Sequence, residues 1–594
     1  MLIEIHMIQN HSPSNLNRDD LGAPKTCVFG GVTRARISSQ CLKRSIRNPG
    51  NPENPDDPES PRKGGSMFAD SVRTVLGERT KMFPWLVEKE LEKAQGRFRA
   101  GNETDADIEK QKKGIVAACR TIARAEGKAV SGKKEKQQKD KRPQTPQLIF
   151  IGPAQARSFV EKLLELKQSM RSCYEYFLDP ATVFESFLEP ELAKTGLTEE
   201  QQERALKAGW RIRHTEGRLA ELRKLLPSQA ETDEADATSG ASKDPVQSPP
   251  PIDDEGIASE IAAGLAVLAV QGSERFSQIT SPRGARGEPQ LDIKRDKPKE
   301  YEEFVKALRQ ATLKVSVDIA LFGRMTTSDY IANTEAAMQV AHAISTHAVV
   351  NETDYWTAVD DLGKAGGGAG HVDEAQFNSA CFYKYFSLDW DQLVSNLAGP
   401  QPVENEDTEG HARWEKEVKP EAQKLAACTL GHFIRAAALT TPTGKQNSFA
   451  ANNEPCGILL EIKKTKVPTN YANAFAEPAE RIGKPDDDAA DEKSCEGRSV
   501  ACLADHVHAI RKAYGIDSTL LWYSPKLWRF PFKYWERAED GKKTKAKLVT
   551  DCRFGVLGGE DDKPAGLVEA VVEALGLNVT WAKVKDAGQA GVQA

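Results

Sequence analysis

Leu2–Ile8 reads LIEIHMI, and Gly457–Lys464 reads GILLEIKK. In the first stretch Ile3, Ile5 and Met7 fall on one side, with Glu4 and His6 on the other. In the second, Ile458, Leu460 and Ile462 share a side. A period of two marks a strand with one buried face, so both stretches are expected to be strands, the first half-buried. They lie near opposite ends of a 594-residue chain, and most of the sequence between them has helical spacing. Strands from both ends with helices inserted predict an α+β sheet domain interrupted by a helical insertion.

Working outward, Ser38 or Ser39 is placed to cap a short helix carrying Leu42 and Ile46 on one side. Asn48–Lys63, rich in proline, is expected to be a loop. Ser66–Leu226 reads as mainly helical, broken by the Lys-rich loop KKEKQQKDKRPQTPQ. Ser228–Glu255 has almost no large apolar residue and is expected to be disordered, with a second helical block to about Val270. Further on, VDIALFG (317–323) is expected to be a buried strand. NTEAAMQVAHAIST is expected to be a helix capped by Asn333, with Ala337, Val340, Ala341 and Ile344 on its packed face. DYWTAVDDL and the turn GGGAGHV precede an alternating strand, FNSACFYKYF. Glu404–Glu415 and Lys484–Glu496 read as charged loops, and no internal repeat is present.

Composition excludes several classes. Net charge is −6, charged residues make up 28%, and the mean hydropathy is −0.54. No apolar run approaches the roughly 20 residues of a membrane helix. The N-terminus lacks the pattern of a secretory signal, which points to a cytoplasmic protein. Ten cysteines with no C-x-x-C pair imply reduced thiols and argue against a disulfide framework or a zinc knuckle.

One stretch departs from the acidic average. Between Arg18 and Arg47 stand seven basic residues (Arg18, Lys25, Arg34, Arg36, Lys43, Arg44, Arg47) and two acidic ones, Asp19 and Asp20. Gly30 and Gly31 let the backbone approach something closely, and Arg34 and Arg36 alternate as on one strand face. Ser38, Ser39, Gln40, Lys43 and Arg44 crowd a helix N-terminus, where amides, hydroxyls and cations together suit a phosphate. A solvated basic face is the competing reading, and the residues alone leave the two nearly even. There is no Walker motif, dinucleotide fingerprint or nucleophile elbow. Asp19 and Asp20 read as structurally paired rather than metal-binding. His342 and His347, five apart on the expected helix, do not share a face as metal ligands would. His371, in the Gly-rich turn, reads as a turn hydrogen-bonder rather than a base.

The block HSPSNLNRDDLGAPKTCVFGGVTRARISSQCLKRSIR resembles the N-terminal signature of the CasC family, the backbone subunit of the subtype I-E CRISPR Cascade complex. VDIALFGRM, AAMQVAHAISTHAV, DYWTAVDDL, AGH and FYKYF resemble the same family in the same order, as does TTPTGKQNSFAANNEP…NYANAFAEP. The resemblance implies an RRM-like (ferredoxin-like) palm at 1–64, 311–348 and 380–477. It further implies helical fingers at 65–310 and a protruding thumb at 349–379. The extension 478–594 has no role carried over. By the same resemblance Arg18, Lys25, Ser38, Ser39, Gln40, Lys43 and Arg44 fall where RNA phosphates are touched, with Arg34 and Arg36 in the same cradle. Met325 and Trp356 would wedge beside a flipped-out nucleotide of the duplex, with His371 in the thumb.

The implied partners are crRNA, a target DNA strand and further copies of the chain. The large and small subunits, the repeat-processing endonuclease and the 5′-end cap subunit would join them. No cofactor, metal or catalytic activity is implied. Related RNA-targeting complexes cut RNA with a single loop Asp, which keeps Asp19 or Asp20 as an alternative. The tail segment LWYSPKLWRFPFKYWER, aromatic and basic, reads as core strands or a subunit contact, with base stacking as the other option.

Overall fold

In the computed structural model the described residues are 1–57, 60–72, 76–94, 105–122, 142–145, 148–170, 173–174, 177, 280–281, 290–291, 298–326, 328–358, 360, 371–405, 407–479, 494–537, 543–549, 552–558 and 566–577. The segment expected to be disordered, the second helical block and most of the Lys-rich loop lie outside them, as does the Gly-rich turn before His371.

The chain opens with strand β1 (Leu2–Ser14), hairpin β2 (Thr26–Phe29) and β3 (Val32–Ile37), and helix α1 (Ser39–Arg47). Helices α2 (Met67–Ser71), α3 (Phe83–Lys93), α4 (Asp105–Thr121), α5 (Pro153–Ser169), α6 (Pro298–Ala311) and α7 (Val317–Phe322) follow. Short strands β4 (Met338–Val340) and β5 (Ala343–Ser345) precede β6 (Glu352–Ala358) and the long β7 (His371–Asp389). Helices α8 (Trp390–Ala398) and α9 (Lys419–Leu439), strand β8 (Gly457–Lys463) and helix α10 (Cys495–Tyr514) come next. The described chain ends with β9 (Ser518–Tyr523), ribbon β10 (Lys533–Arg537) and β11 (Lys543–Leu548), strand β12 (Cys552–Phe554) and α11 (Leu567–Ala574).

The main sheet runs β12-β9-β8-β1-β7-β5-β3-β2, with β4 and β6 also paired to β7. β1 lies in its middle, antiparallel to β7 and β8. Strands from both ends of the chain therefore do meet, and the α+β architecture holds. β1 is not half-buried, however. Ile3, Ile5 and Met7 pack with Phe386, Leu388, Ile458 and Leu460 under α9, through Phe433 and Ile434. The other face is covered by α10, where Leu459, Tyr383 and Trp522 pack with Val500, Leu503 and Val507.

Glu4 and His6 face that second layer and are fully buried. Most of their polarity is absorbed locally, His6 Nε2 alone of their polar atoms having no hydrogen-bond partner among the described residues. The Glu4 carboxylate accepts from the Lys463 ammonium, the Tyr385 hydroxyl and, at 2.7 Å, the Thr469 amide. His6 Nδ1 lies 2.8 Å from the Tyr383 hydroxyl, and burial pushes its pKa down to about 3. A buried polar layer thus produced the alternation that reads as a solvent face.

Three expectations of secondary structure fail, one of them at Glu404–Glu415, where Thr408–Arg413 is helix and not loop. VDIALFG is not a strand but helix α7, preceded by Ser316 in extended backbone and stopped by Gly323 at φ 76°. A short run, apolar but for Asp318, carries no period long enough to separate helix from strand. NTEAAMQVAHAIST is not a helix but β4 and β5, both laid along β7, so His342 and His347 lie on no common helix. Its alanines favour helix locally, and pairing with an existing sheet overrides that preference.

The helical insertion has its own core, in which Phe83, Val87 and Leu91 of α3 meet Ile115 and Cys119 of α4, Phe159 and Leu163 of α5, and Phe304 and Leu308 of α6. It is tied to the sheet domain through buried Asp318. That carboxylate accepts from Arg47 Nε at 3.2 Å, Gly77 N at 2.7 Å and Ser316 Oγ at 2.8 Å. Among the described residues no helix is long and apolar enough to cross a membrane.

Candidate nucleic-acid interface

Helix α1 begins where extended Ser38 turns in and accepts the Cys41 amide on its hydroxyl at 3.4 Å. Leu42 and Ile46 bury its apolar side, and its first turn holds no acidic residue. The preceding loop is bonded to the helix start, Ser38 N donating to Asn17 Oδ1 at 2.8 Å. Lys25 N donates to Asn17 O at 2.8 Å, and Arg36 N to Lys25 O at 2.9 Å. The chain thereby gathers the loop 17–25, strand β3 and the first turns of α1 onto one surface.

On that surface Arg18, Gln40 and Arg44 are exposed, and Lys25, Arg36, Ser39 and Lys43 are partly so, while Ser38 is buried as the cap. Among the described residues none of Arg18, Lys25, Arg36, Lys43 and Arg44 has an acidic partner. Elsewhere surface cations sit in short-range pairs such as Lys89–Glu92, Lys162–Glu165 and Lys419–Glu415. Lys43 lies 5.6 Å over the Phe322 ring, and partial burial first, then Arg79, lowers its pKa. Arg36 Nη1 is 3.2 Å from His342 Nδ1. Burial lowers the pKa of that histidine, aided by Arg36 and Lys25, so the neutral ring accepts from Arg36.

Arg34 does not belong to this surface. It is fully buried and donates to the carbonyls of Phe29 at 3.1 Å, Ser345 at 3.3 Å and Phe475 at 2.8 Å. The loop at 475–476 covers it. The same loop explains Gly30, whose added Cβ would lie 1.7 Å from Ala476 O. Gly30 and Gly31, at φ 60° and 76°, form the two-residue turn of the β2–β3 hairpin. The close approach foreseen at these glycines is found at Gly30 alone, to the protein's own backbone, while Gly31 faces open space.

Asp19 Oδ1 accepts the amides of Leu21 and Ala23, each at 2.9 Å, so the carboxylate shapes its own turn. Neither Asp19 nor Asp20 belongs to a group of three potential metal ligands among the described residues. Glu4, His6 and Glu461 do lie within 4.8 Å of one another, inside the sheet domain. There the Lys463 ammonium, 1% exposed and 3.6 Å from Glu461, already supplies the cation.

Neither Met325 nor Trp356 is a core residue. Met325 is 94% exposed. Its neighbour Arg324 is buried and donates to Ala332 O at 2.8 Å, Thr312 O at 3.2 Å and Phe150 O at 3.1 Å, which pins the loop and leaves Met325 outside. Trp356 lies on the β6–β7 hairpin, 42% exposed, with its ring centroid 5.2 Å from that of His371. The hairpin stands clear of the sheet: residues 371–377 of β7 are exposed or half-buried, whereas Ala380–Leu388 are buried.

In the tail, Trp522, Phe530 and Phe532 are buried, and Trp522 Nε1 donates to Phe530 O at 3.0 Å. Tyr534 stacks on His508 at 3.5 Å. These side chains are core and packing elements, as the residues suggested, with Trp528 exposed. Two features escaped sequence reading. One is Lys384, 1% exposed on β7, hidden in an alternating run in which it falls on the apolar face. The other is the loop after α9, where Lys445 and Ala450 take φ 46° and 48°, with no glycine to announce the turn.

A family model described as CT1975-like protein (Cas_CT1975) matches residues 3–176 and 193–529. The chain belongs to the CT1975-like protein family. This supports the recognition made from the sequence at the level of a Cas backbone-type subunit, without fixing the subtype. The match takes in most of the helical insertion and α10 and β9, so the insertion and the start of the tail are family features too. No protein of curated function matches. A chain of a "CRISPR RNA-guided surveillance complex, pre-nicking" is 19% identical at TM-score 0.48, covering 97% of this chain and 100% of that one. A chain of a "CRISPR RNA-guided surveillance complex" is 15% identical at TM-score 0.34, with the same coverage. Both scores are too low for residues to be matched one to one, and none is carried over.

Proposed function

We propose that this CT1975-like protein is a non-catalytic backbone subunit of a subtype I-E Cascade complex, polymerising along crRNA in the cytoplasm and presenting it to a target DNA strand. The observation that carries this reading is the surface of Arg18, Lys25, Arg36, Lys43 and Arg44, five cations without an acidic partner among the described residues, beside a helix N-terminus. Such a surface suits phosphates, which fix register without reading sequence. In this reading the sheet domain is the RRM-like palm, the insertion the fingers, and the β6–β7 hairpin the thumb. Met325 and Trp356, both presented to solvent, are the residues that wedge beside a displaced nucleotide. Guide–target pairing reads sequence, a division known in another CRISPR effector class.

The test is a salt series. Guides of unrelated sequence should bind with the same strongly negative slope of log affinity against log salt. Lys43→Ala with Arg44→Ala should weaken all of them alike and reduce the slope by roughly 1.4, two single-strand contacts' worth. A loss confined to some sequences contradicts the phosphate cradle. Asp19→Ala and Asp20→Ala should leave RNA intact in every case, since the chain itself should cut nothing. Metal-dependent cleavage abolished by either substitution would replace this reading with that of an RNA-cutting subunit.

A further inference from the structure

Among the described residues five cationic side chains are buried: Arg34, Arg47, Arg324, Lys384 and Lys463. Four have partners. Arg34 and Arg324 point into carbonyls, Arg47 meets Asp318, and Lys463 meets Glu4 and Glu461. Lys384 has no hydrogen-bond or ion-pair partner among the described residues, although a buried charge is costly unless paired. Such a violation of packing rules concentrates at functional sites.

Lys384 pairs with Met7 across the sheet and projects on the same side as Phe382 and Phe386. α1 covers this side, Leu42 packing with Ile37, Ala343 and Phe382. The groups that Lys384 acts on electrostatically are Cys41, in the first turn of α1, and His11 of β1. On the same face Gln9 Oε1 and His11 Nε2 are also buried without a partner. The first turn of α1 adds the positive end of a helix dipole and no acidic residue to offset it. An ammonium without an anion lies beneath a helix end without an anion.

We propose that Lys384 and the first turn of α1 form a subsite for one backbone phosphate of a bound RNA strand, with Lys384 as its floor. The subsite rests on the RNA-binding reading above and adds to it a cation that the exposed patch does not contain. Burial brings the ammonium down to a pKa of about 8, so it still carries its proton near neutrality, and a phosphate supplies the counter-charge that none of the described residues provides.

The experiment uses the full chain with Lys384→Met, Lys384→Arg and the surface variant Arg44→Ala. It measures melting temperature without RNA, and RNA affinity across a salt series. Lys384→Met should melt no lower than the wild type, yet bind RNA about tenfold or more weakly, with a salt slope shallower by roughly 0.7. Lys384→Arg should recover most of the affinity. Should Met not be accommodated, Lys384→Gln repeats the comparison. The subsite is overturned if Lys384→Met binds as the wild type does while Arg44→Ala weakens binding. It is equally overturned if Lys384→Met and Lys384→Gln both lose melting temperature and affinity together. A wild type with no salt-dependent RNA binding would remove the RNA reading itself, a result distinct from either.

Discussion

Arg34 and Arg36 stand two positions apart on β3 and meet different fates, because the loop at 475–476 covers one and stops short of the other. Arg34→Ala would remove hydrogen bonds to three backbone carbonyls, two of them buried, at a cost of about 2–5 kcal/mol. Chemical denaturation should show that loss, whereas Arg36→Ala should leave the unfolding midpoint nearly unchanged and weaken RNA binding instead. At Lys384 the prediction concerns pH. Its folded-state pKa of about 8 lies below the ordinary 10.5. Below about pH 8 both states hold the proton, and the cost of burying the ammonium is felt in full. Between the two values only the unfolded chain keeps the proton, so this group makes the fold more stable as pH rises. The gap in melting temperature between Lys384→Met and the wild type should therefore shrink from about pH 7 to about pH 9.5. A gap independent of pH would show that Lys384 is not the buried charge described.

At the scale of elements, α1 and its cap were legible because Ser38, Leu42 and Ile46 obey local rules. The β1–β8 meeting was legible because both strands alternate. VDIALFG was not, since so short a run, apolar but for Asp318, fits helix and strand equally. Neither were β4 and β5, whose identity is decided by β7 and not by their own alanines. The candidate site divided in the same way. Which residues are basic could be read directly, but that Arg34 and Arg47 face inward depends on contacts hundreds of residues distant in sequence. The β6–β7 hairpin is the element with the sharpest prediction. Trp356→Ala removes a half-exposed ring from a projecting ribbon, so the melting temperature should hold within about 2 °C, as for a surface substitution. Guide binding should be retained while pairing with the target strand weakens. Early melting with loss of both would make Trp356 a structural residue.

For the whole molecule, the acidic net charge and the basic surface are compatible because charge is local: the patch gathers its cations from loop 17–25, β3 and α1, while acidic residues elsewhere pair with lysines along helices. A surface that holds phosphates without reading bases has no natural stopping point on a strand, so copies should add one after another as the strand lengthens. The most direct measurement is native mass spectrometry of the purified chain on RNAs of stepped length and unrelated sequence. The number of bound chains should rise linearly with RNA length and be the same for every sequence. One chain per RNA whatever its length, or a count that follows sequence, would contradict the account.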